Sequence, residues 1–155
     1  MKPEHRHIFE RLTDWQLMGL CIEREAGGEP VEGKIGVATV ILNRINKQSW
    51  MGKTIKEVIL KPWQFSWTMP EAGEDYYNKA VCMAENWIDA FRKSVALQEC
   101  CRIATDMLQH STPRDTDLEG CLYYLNPKIA GATKKKWIAS GMKVIKKIGG
   151  HEFFK

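Results

Sequence analysis

At 155 residues, with 44% hydrophobic and 27% charged residues, the chain has the size and composition of one globular domain. Its net charge of +4 suits an anionic partner, which includes nucleic acid, an acidic membrane surface and bacterial wall glycan. The amino terminus lacks a signal-peptide core, and no apolar run approaches the roughly 20 residues of a membrane span. We therefore predict one domain over residues 1–155, made in the cytoplasm without membrane insertion.

The cysteines argue against a metal centre. They show neither a C-x-x-C pair nor a histidine-spaced ligand set, so we predict no metal and no cofactor. An odd number with one adjacent pair favours reduced, buried thiols over a disulfide framework. The residues concerned are Cys21, Cys82, Cys100, Cys101 and Cys121.

The first predicted elements are two helices separated by a short break. Apolar spacing indicates a helix over Ile8 to Arg24, with Thr13 or Asp14 capping its main part. Gly27-Gly28 ends that helix, and Pro30 fits the first turn of the next. From residue 31 to residue 45, apolar side chains form an arc broad enough for a central, buried helix.

The middle of the chain continues with loops and helices. Residues 47–53 predict a loop, and Thr54 with Glu57 forms a capping box that opens a short helix. The aromatic segment 61–70 is bounded by prolines and predicts a loop or a short strand. Residues 71–110 predict a long helical stretch, whose part from 95 to 108 can be a separate helix.

The last part adds a small strand element. Residues 111–120 predict a polar loop, and residues 121–125 a strand that Asn126-Pro127 stops. Lysine-rich residues 134–148 predict a basic helix, and residues 149–154 a turn with a short terminal strand. The predicted fold class is α+β, mainly helical, in a single domain.

Glu25 is the candidate catalytic residue. Cleavage of a glycosidic bond needs a carboxylic acid that is still protonated near neutral pH. The last turn of a helix favours the neutral form through the helix dipole, and flanking apolar helices exclude water. The alternative for any single glutamate is an exposed surface residue. Glu29, beyond the helix break, is either a residue across a cleft or a first-turn residue of the next helix.

Aromatic and amide side chains supply candidates for sugar binding. Sugar C–H faces stack on aromatic rings, and their hydroxyl and acetamide groups need donors and acceptors. Core packing is the alternative for the rings, and Asn126 also suits a turn before Pro127. These candidates are Trp63, Gln64, Phe65, Ser66, Tyr123, Tyr124, Asn126 and His151.

Several motifs resemble those of the cell-wall hydrolases that include the spore cortex-lytic enzymes. Residues 23–45, E-R-E-A-G-G-E-P-V-E-G-K-I-G-V-A-T-V-I-L-N-R-I, are similar to the family's opening signature. The later blocks are matched in order by I-K-E-V-I-L-K-P-W-Q-F-S-W, L-Y-Y-L-N-P and I-G-G-H-E-F-F. This chain has Glu23-Arg24 where the family has tyrosine-glycine, and Gly27 where it often has arginine.

The resemblance implies a lysozyme-like fold and cleavage between N-acetylmuramic acid and N-acetylglucosamine in peptidoglycan. It puts the family's catalytic glutamate on Glu25. Further motif positions, expected to line or brace the cleft, are Glu29, Asn43, Gln64, Ser66, Tyr124 and Asn126. A short catalytic domain without a leader also resembles a phage endolysin, which a holin releases to the cell wall.

The predicted reaction is that of a lytic transglycosylase, with Glu25 as acid and then base and with 1,6-anhydro ends as products. A hydrolytic muramidase, in which Glu29 or another carboxylate directs water, is the close alternative. The alternative of another class is a non-catalytic module that binds wall polymer or nucleic acid through the lysine helix, with Lys134–Lys136, and the aromatic segment 61–70. The predicted partner is a peptidoglycan glycan strand, with no nucleic acid, and the predicted state is a monomer.

Overall fold

The fold is that of a computed structural model, which describes residues 1–47, 50–112 and 114–155. Its helices are α1 (Arg6–Glu10), α2 (Asp14–Ala26), α3 (Val31–Asn46), α4 (Ile55–Ile59), α5 (Glu74–Glu85), α6 (Trp87–Lys93), α7 (Val95–Leu108) and α8 (Gly131–Ala139). Its strands are β1 (Tyr123–Leu125), β2 (Val144–Ile148) and β3 (His151–Phe154). The mainly helical fold with a small strand element is therefore confirmed. The predicted loops over 47–53 and 111–120 include Gln48, Ser49 and Pro113, which lie outside the described residues.

Helix α2 packs closely on α7. A Cβ added to Gly19 would lie 2.8 Å from the Cα of Cys101, so the two backbones meet without an intervening side chain. The helix predicted over 8–24 is divided into α1 and α2. Thr13 caps α2, and its backbone N–H donates to the side-chain oxygen of Gln16 at 2.9 Å, as in a capping box.

Helix α3 is the buried central helix that the sequence predicts. Helix α2 ends at Ala26, directly before the two glycines, and Pro30 immediately precedes α3. The apolar arc of α3 is buried, and its Lys34 forms an ion pair with Glu99 of α7. Glu25, at the end of α2, and Glu29, between the two helices, therefore lie at one end of a buried helix pair.

The predicted long helical stretch over 71–110 consists of three consecutive helices, α5, α6 and α7. The Ser94 hydroxyl accepts the Leu97 backbone N–H at 3.1 Å and caps α7, so the separate helix predicted over 95–108 is confirmed. Segment 61–70 is a loop with a 3-10 turn at Ser66–Thr68. The alternative of a short strand there is wrong.

The small sheet is antiparallel with the order β1-β3-β2. The strands predicted near residues 121–125 and at the carboxyl terminus are confirmed as β1 and β3. The prediction of a basic helix over 134–148 is correct only for its first residues, which belong to α8, and is wrong for the residues that form β2. Gly141 has a φ of 93°, which takes the chain out of the helix, and the next residues then pair with β3 as strand β2.

Gly36 of α3 contacts the sheet, and we expect its replacement to destabilise the fold. A Cβ there would lie 2.6 Å from the ring of Phe153, which is fully buried. Gly36→Ala should lower the free energy of unfolding by about 1–3 kcal/mol, despite the better helix propensity of alanine. Urea denaturation measures this. Gly131→Ala in α8 meets no neighbouring atom and should be neutral or slightly stabilising; an equal effect of both changes would contradict the steric argument.

All five cysteines have free thiols, as the sequence predicts, and four of them are buried. Cys82 is exposed, so the prediction of burial is wrong at that position. Within the described residues, none of the helices combines the length and the apolar character that crossing a membrane requires.

Candidate active site

A cleft of about 710 Å³ opens beside the end of α2. The loop before the 3-10 turn, helix α5, strand β1 and the start of β3 form its other walls. The structure brings seven of the predicted site residues together there, although they lie far apart in the sequence. They are Glu25, Glu29, Gln64, Ser66, Tyr124, Asn126 and His151.

Four other predicted site residues do not line this cleft. Trp63 is on the outer surface with 75% of its area exposed, and Phe65 is only 2% exposed in the core. Tyr123 packs against Trp137 of α8, with ring centroids 5.5 Å apart. The fourth residue, Asn43, lies behind the cleft.

Asn43 braces the wall that contains β1. Its side-chain amide donates to the backbone oxygens of Leu118 and Cys121, at 2.8 and 3.0 Å. The next residue, Arg44, donates through Nε to the backbone oxygen of Leu122 at 2.9 Å. These bonds tie the central helix to the segment that leads into β1, and they thereby fix the position of the Tyr124 side chain.

Glu25 lies in the last turn of α2 and lines the cleft. The Tyr124 hydroxyl donates to its Oε2 at 2.9 Å. Its Oε1 is buried and makes no hydrogen bond of standard geometry with a described residue. A buried oxygen without a well-formed hydrogen bond is less favourable as a carboxylate than as part of a neutral acid.

Burial raises the pKa of Glu25 from 4.5 to about 7. Opposing contributions come, in decreasing order, from the Tyr124 hydroxyl, the charges of Arg44 and Arg24, and the Ser66 backbone. The exclusion of water therefore outweighs two nearby positive charges. A carboxyl group with this pKa exists in both protonation states near neutral pH, so it can donate a proton and later accept one.

Glu29 contacts the turn between β2 and β3. Its Oε2 accepts the Gly150 backbone N–H at 2.9 Å. A Cβ on Gly149 would overlap that same oxygen, and a Cβ on Gly150 would lie 2.8 Å from the other one, so both oxygens face the turn. Glu29 thus holds the hairpin that carries His151 rather than capping α3.

His151 and Asn126 complete the wall opposite Glu25. The His151 ring meets Tyr124 edge-on at 5.3 Å between centroids, and burial lowers the pKa of His151, so the imidazole is neutral at pH 7. The Asn126 side-chain oxygen accepts the Lys128 backbone N–H at 3.0 Å. Asn126 therefore has the turn role that the sequence allowed, and it lines the cleft as well.

The residues that line the cleft without having been predicted as site residues include Arg24, Arg44 and Tyr76. Arg44 could have been predicted, because it belongs to the leucine-asparagine-arginine motif that the chain shares with the family's opening signature. Arg24 is visible only as a departure from the family pattern. Tyr76 follows two acidic residues at the start of α5, where the sequence resembles any helix amino terminus.

Tyr124→Phe tests the hydroxyl that donates to Glu25. Because that hydrogen bond lowers the pKa of Glu25, its loss should raise this pKa further and move the alkaline limb of the pH–rate profile to higher pH. We expect the maximal rate to fall roughly tenfold, since the acid loses the group that orients it. Initial rates of peptidoglycan solubilisation between pH 5 and 9 measure both effects. A limb that stays in place or moves to lower pH would contradict this role.

Comparisons with known proteins place this chain in a family. The cell wall hydrolase family model matches residues 28–154, a range that begins after Glu25. The spore cortex-lytic enzyme of Oceanobacillus iheyensis is 32% identical over 143 residues, which cover 92% of this chain and 42% of that protein. The enzyme of the same name from Bacillus cereus is 33% identical, with 92% and 44% covered. The chain thus spans about two fifths of the length of these relatives.

Solved structures agree with this assignment. The catalytic domain of the germination-specific lytic transglycosylase SleB from Bacillus anthracis has a TM-score of 0.61 and 29% identity, with 92% of this chain and 93% of that one covered. The catalytic domain of the Bacillus cereus SleB protein has a TM-score of 0.56 and 30% identity, with 92% and 89% covered. The predicted lysozyme-like fold is confirmed, and the chain belongs to the cell wall hydrolase family.

Proposed function

We propose that this domain is a lytic transglycosylase that cleaves peptidoglycan between N-acetylmuramic acid and N-acetylglucosamine, with Glu25 as acid and base. The observation that carries the proposal is a cleft carboxyl group whose burial raises its pKa to about 7. Its neighbours Arg44, Ser66 and Tyr124 lie within residues 28–154, the range that the cell wall hydrolase family model matches. The solved structures that resemble this chain include one described as a lytic transglycosylase.

In the first step, protonated Glu25 gives its proton to the glycosidic oxygen, and the bond between that oxygen and C1 of the muramoyl residue breaks. The N-acetylglucosamine product leaves with a free hydroxyl, and positive charge develops at C1. In the second step, the Glu25 carboxylate takes the proton of the muramoyl C6 hydroxyl, whose oxygen bonds to C1. The product ends in a 1,6-anhydro ring, no water is consumed, and Glu25 is protonated again.

The positions of the other acidic residues favour this route over hydrolysis. A hydrolytic muramidase needs a second carboxylate that acts at the sugar carbon or directs water to it. Glu29 has both oxygens against the hairpin turn, and Glu23 lies 3.5 Å from Nη1 of Arg24. The muramoyl C6 hydroxyl supplies the nucleophile instead, so one acid is sufficient.

Gln64 and Ser66 are the polar groups that we assign to sugar binding, because they line the cleft beside Glu25. Tyr124 and His151 position the acid, and Asn43 and Glu29 brace the walls. The biological setting stays a prediction: a monomeric phage endolysin, made in the host cytoplasm and released through a holin. Spore cortex lysis, the activity in the names of the relatives, is the alternative setting.

Purified peptidoglycan provides the test. Incubation with the wild-type protein should release soluble muropeptides that liquid chromatography resolves, and the suspension should lose turbidity. Glu25→Gln should release at most about a hundredth as much. Binding to the wall without release of fragments by the wild-type protein would contradict the proposal and would favour the non-catalytic binding module.

A further inference from the structure

Tyr76 presents the most exposed aromatic ring of the cleft. It projects from α5, it is 39% exposed, and it lines the cleft with Glu25. The centre of the Arg24 guanidinium lies 3.8 Å from the centroid of its ring. The buried guanidinium, with Arg24 only 6% exposed, therefore covers one side of the ring. Other parts of the ring remain open to the cleft, because Tyr76 keeps 39% of its area exposed.

The remaining aromatic rings are poorly placed to stack on a sugar. Among the described residues that line the cleft, Tyr124 uses its hydroxyl on Glu25, and His151 is buried. Trp63, Phe65 and Tyr123 lie elsewhere, as described above. A glycan strand in this cleft therefore meets Tyr76 as its main aromatic surface.

We infer that Tyr76, supported by Arg24, is a sugar-binding platform of the cleft, which stacks on the C–H face of one saccharide of the glycan strand. The inference rests on the proposed function for the identity of the sugar polymer. Aromatic rings favour such C–H faces, and a fixed ring loses little conformational entropy on binding.

The hydroxyl of Tyr76 adds a polar contact to the platform. It makes no hydrogen bond with any residue that the structure describes, whereas Tyr124 and the buried Tyr77 have hydroxyl partners. Burial raises the pKa of Tyr76 to about 12, so the hydroxyl stays protonated at neutral pH. It can donate to, or accept from, a sugar hydroxyl or acetamide group.

Arg24 acts as a positioning residue for this ring. Its Nη1 lies 3.5 Å from Glu23 Oε2, and its buried Nε has no partner among the described residues. The stack with Tyr76 is thus a main interaction of the guanidinium, and cation–π attraction holds the two groups together.

The test measures binding to a soluble tetrasaccharide of alternating N-acetylglucosamine and N-acetylmuramic acid. Isothermal titration calorimetry is performed on the full chain with Glu25→Gln, so that the ligand is not cleaved. Adding Tyr76→Leu should raise the Kd about tenfold or more, and Tyr76→Phe, which keeps the ring, should raise it less than about threefold. Arg24→Gln, which keeps the ring but removes its support, should give an intermediate increase.

Trp50→Leu provides the matched control, because Trp50 is an aromatic residue exposed outside the cleft and its loss should not change the Kd. Thermal melting verifies that each variant is folded. In the active enzyme, Tyr76→Leu should raise KM more than it lowers kcat. An unchanged Kd in Tyr76→Leu, or no binding by Glu25→Gln alone, would overturn the platform. Failure of the wild-type protein to release muropeptides would instead overturn the proposed function.

Discussion

Glu25→Gln should reduce the release of soluble muropeptides by about a hundredfold to ten-thousandfold, the usual contribution of a general acid and base. Glutamine has nearly the same shape and can accept the hydrogen bond of the Tyr124 hydroxyl, but it carries no proton to donate to a glycosidic oxygen. Initial rates on purified peptidoglycan measure the loss. A variant that retains more than a tenth of the wild-type rate would show that another group supplies the proton.

The same substitution should also change how the free energy of unfolding depends on pH. The folded state raises the Glu25 pKa from 4.5 to about 7, so it holds this proton more tightly than the unfolded chain does. The contribution of Glu25 to the free energy of unfolding is therefore fully present below pH 4.5. It falls as pH rises to about 7, by at most about 3 kcal/mol, and is constant above that.

Glu25→Gln lacks this pH-dependent contribution. As pH rises from 4 to 8, the free energy of unfolding of the variant should therefore increase relative to that of the wild type. Chemical denaturation of both proteins at pH 4 and at pH 8 measures this change. A stability difference that does not change with pH would mean that the Glu25 pKa is not raised. The denaturation curves and the initial rates together distinguish a catalytic defect of the variant from a loss of its fold.

Gly149→Ala should lower the free energy of unfolding by about 2–4 kcal/mol. Gly149 has a φ of 55°, where a side chain costs about 1–2 kcal/mol. The new Cβ would also overlap Oε2 of Glu29 and displace the carboxylate from the Gly150 N–H, which adds the cost of a lost, partly buried hydrogen bond. Because the hairpin carries His151 into the cleft, activity should fall as well. Urea denaturation and initial rates measure the two effects.

Gly141→Ala is the matched control for backbone strain. Gly141 has a φ of 93°, but a Cβ there would meet no atom within 4 Å. Its replacement should therefore cost only the conformational part, about 1–2 kcal/mol. In a Glu29→Ala background, most of the extra cost of Gly149→Ala over Gly141→Ala should disappear, although Cδ of Pro30 would still lie 3.1 Å from the new Cβ. Equal costs for the two glycines in the wild-type background would contradict the contact between Glu29 and the turn.

The position of Glu25 at the end of a helix could be predicted because local signals determine it. The glycine pair ends α2 just after Glu25, Pro30 precedes α3, and the apolar arc of α3 requires burial. These signals put Glu25 in the last turn of α2, next to the start of a buried helix. Its raised pKa also depends on distant segments, because Tyr124 of β1 and the Ser66 backbone help to enclose the same carboxyl group.

The parts that the sequence did not predict depend on contacts between distant segments. Residues 144–148 form β2 because they pair with β3, although their lysines and aliphatic residues also fit a helix. Trp63 and Phe65 have the same aromatic character, and only the tertiary fold exposes one and buries the other. Tyr76 enters the cleft through the packing of α5, for which its local sequence gives no signal.

In the proposed reaction Glu25 is both acid and base, and the substrate supplies the nucleophile. The most direct test is mass spectrometry of the muropeptides released by the wild-type protein in water enriched in oxygen-18. A lytic transglycosylase should give 1,6-anhydromuramoyl ends, one water lighter than reducing ends and without the heavy oxygen. Reducing ends that carry oxygen-18 would contradict the account, because a second group would then have to activate water.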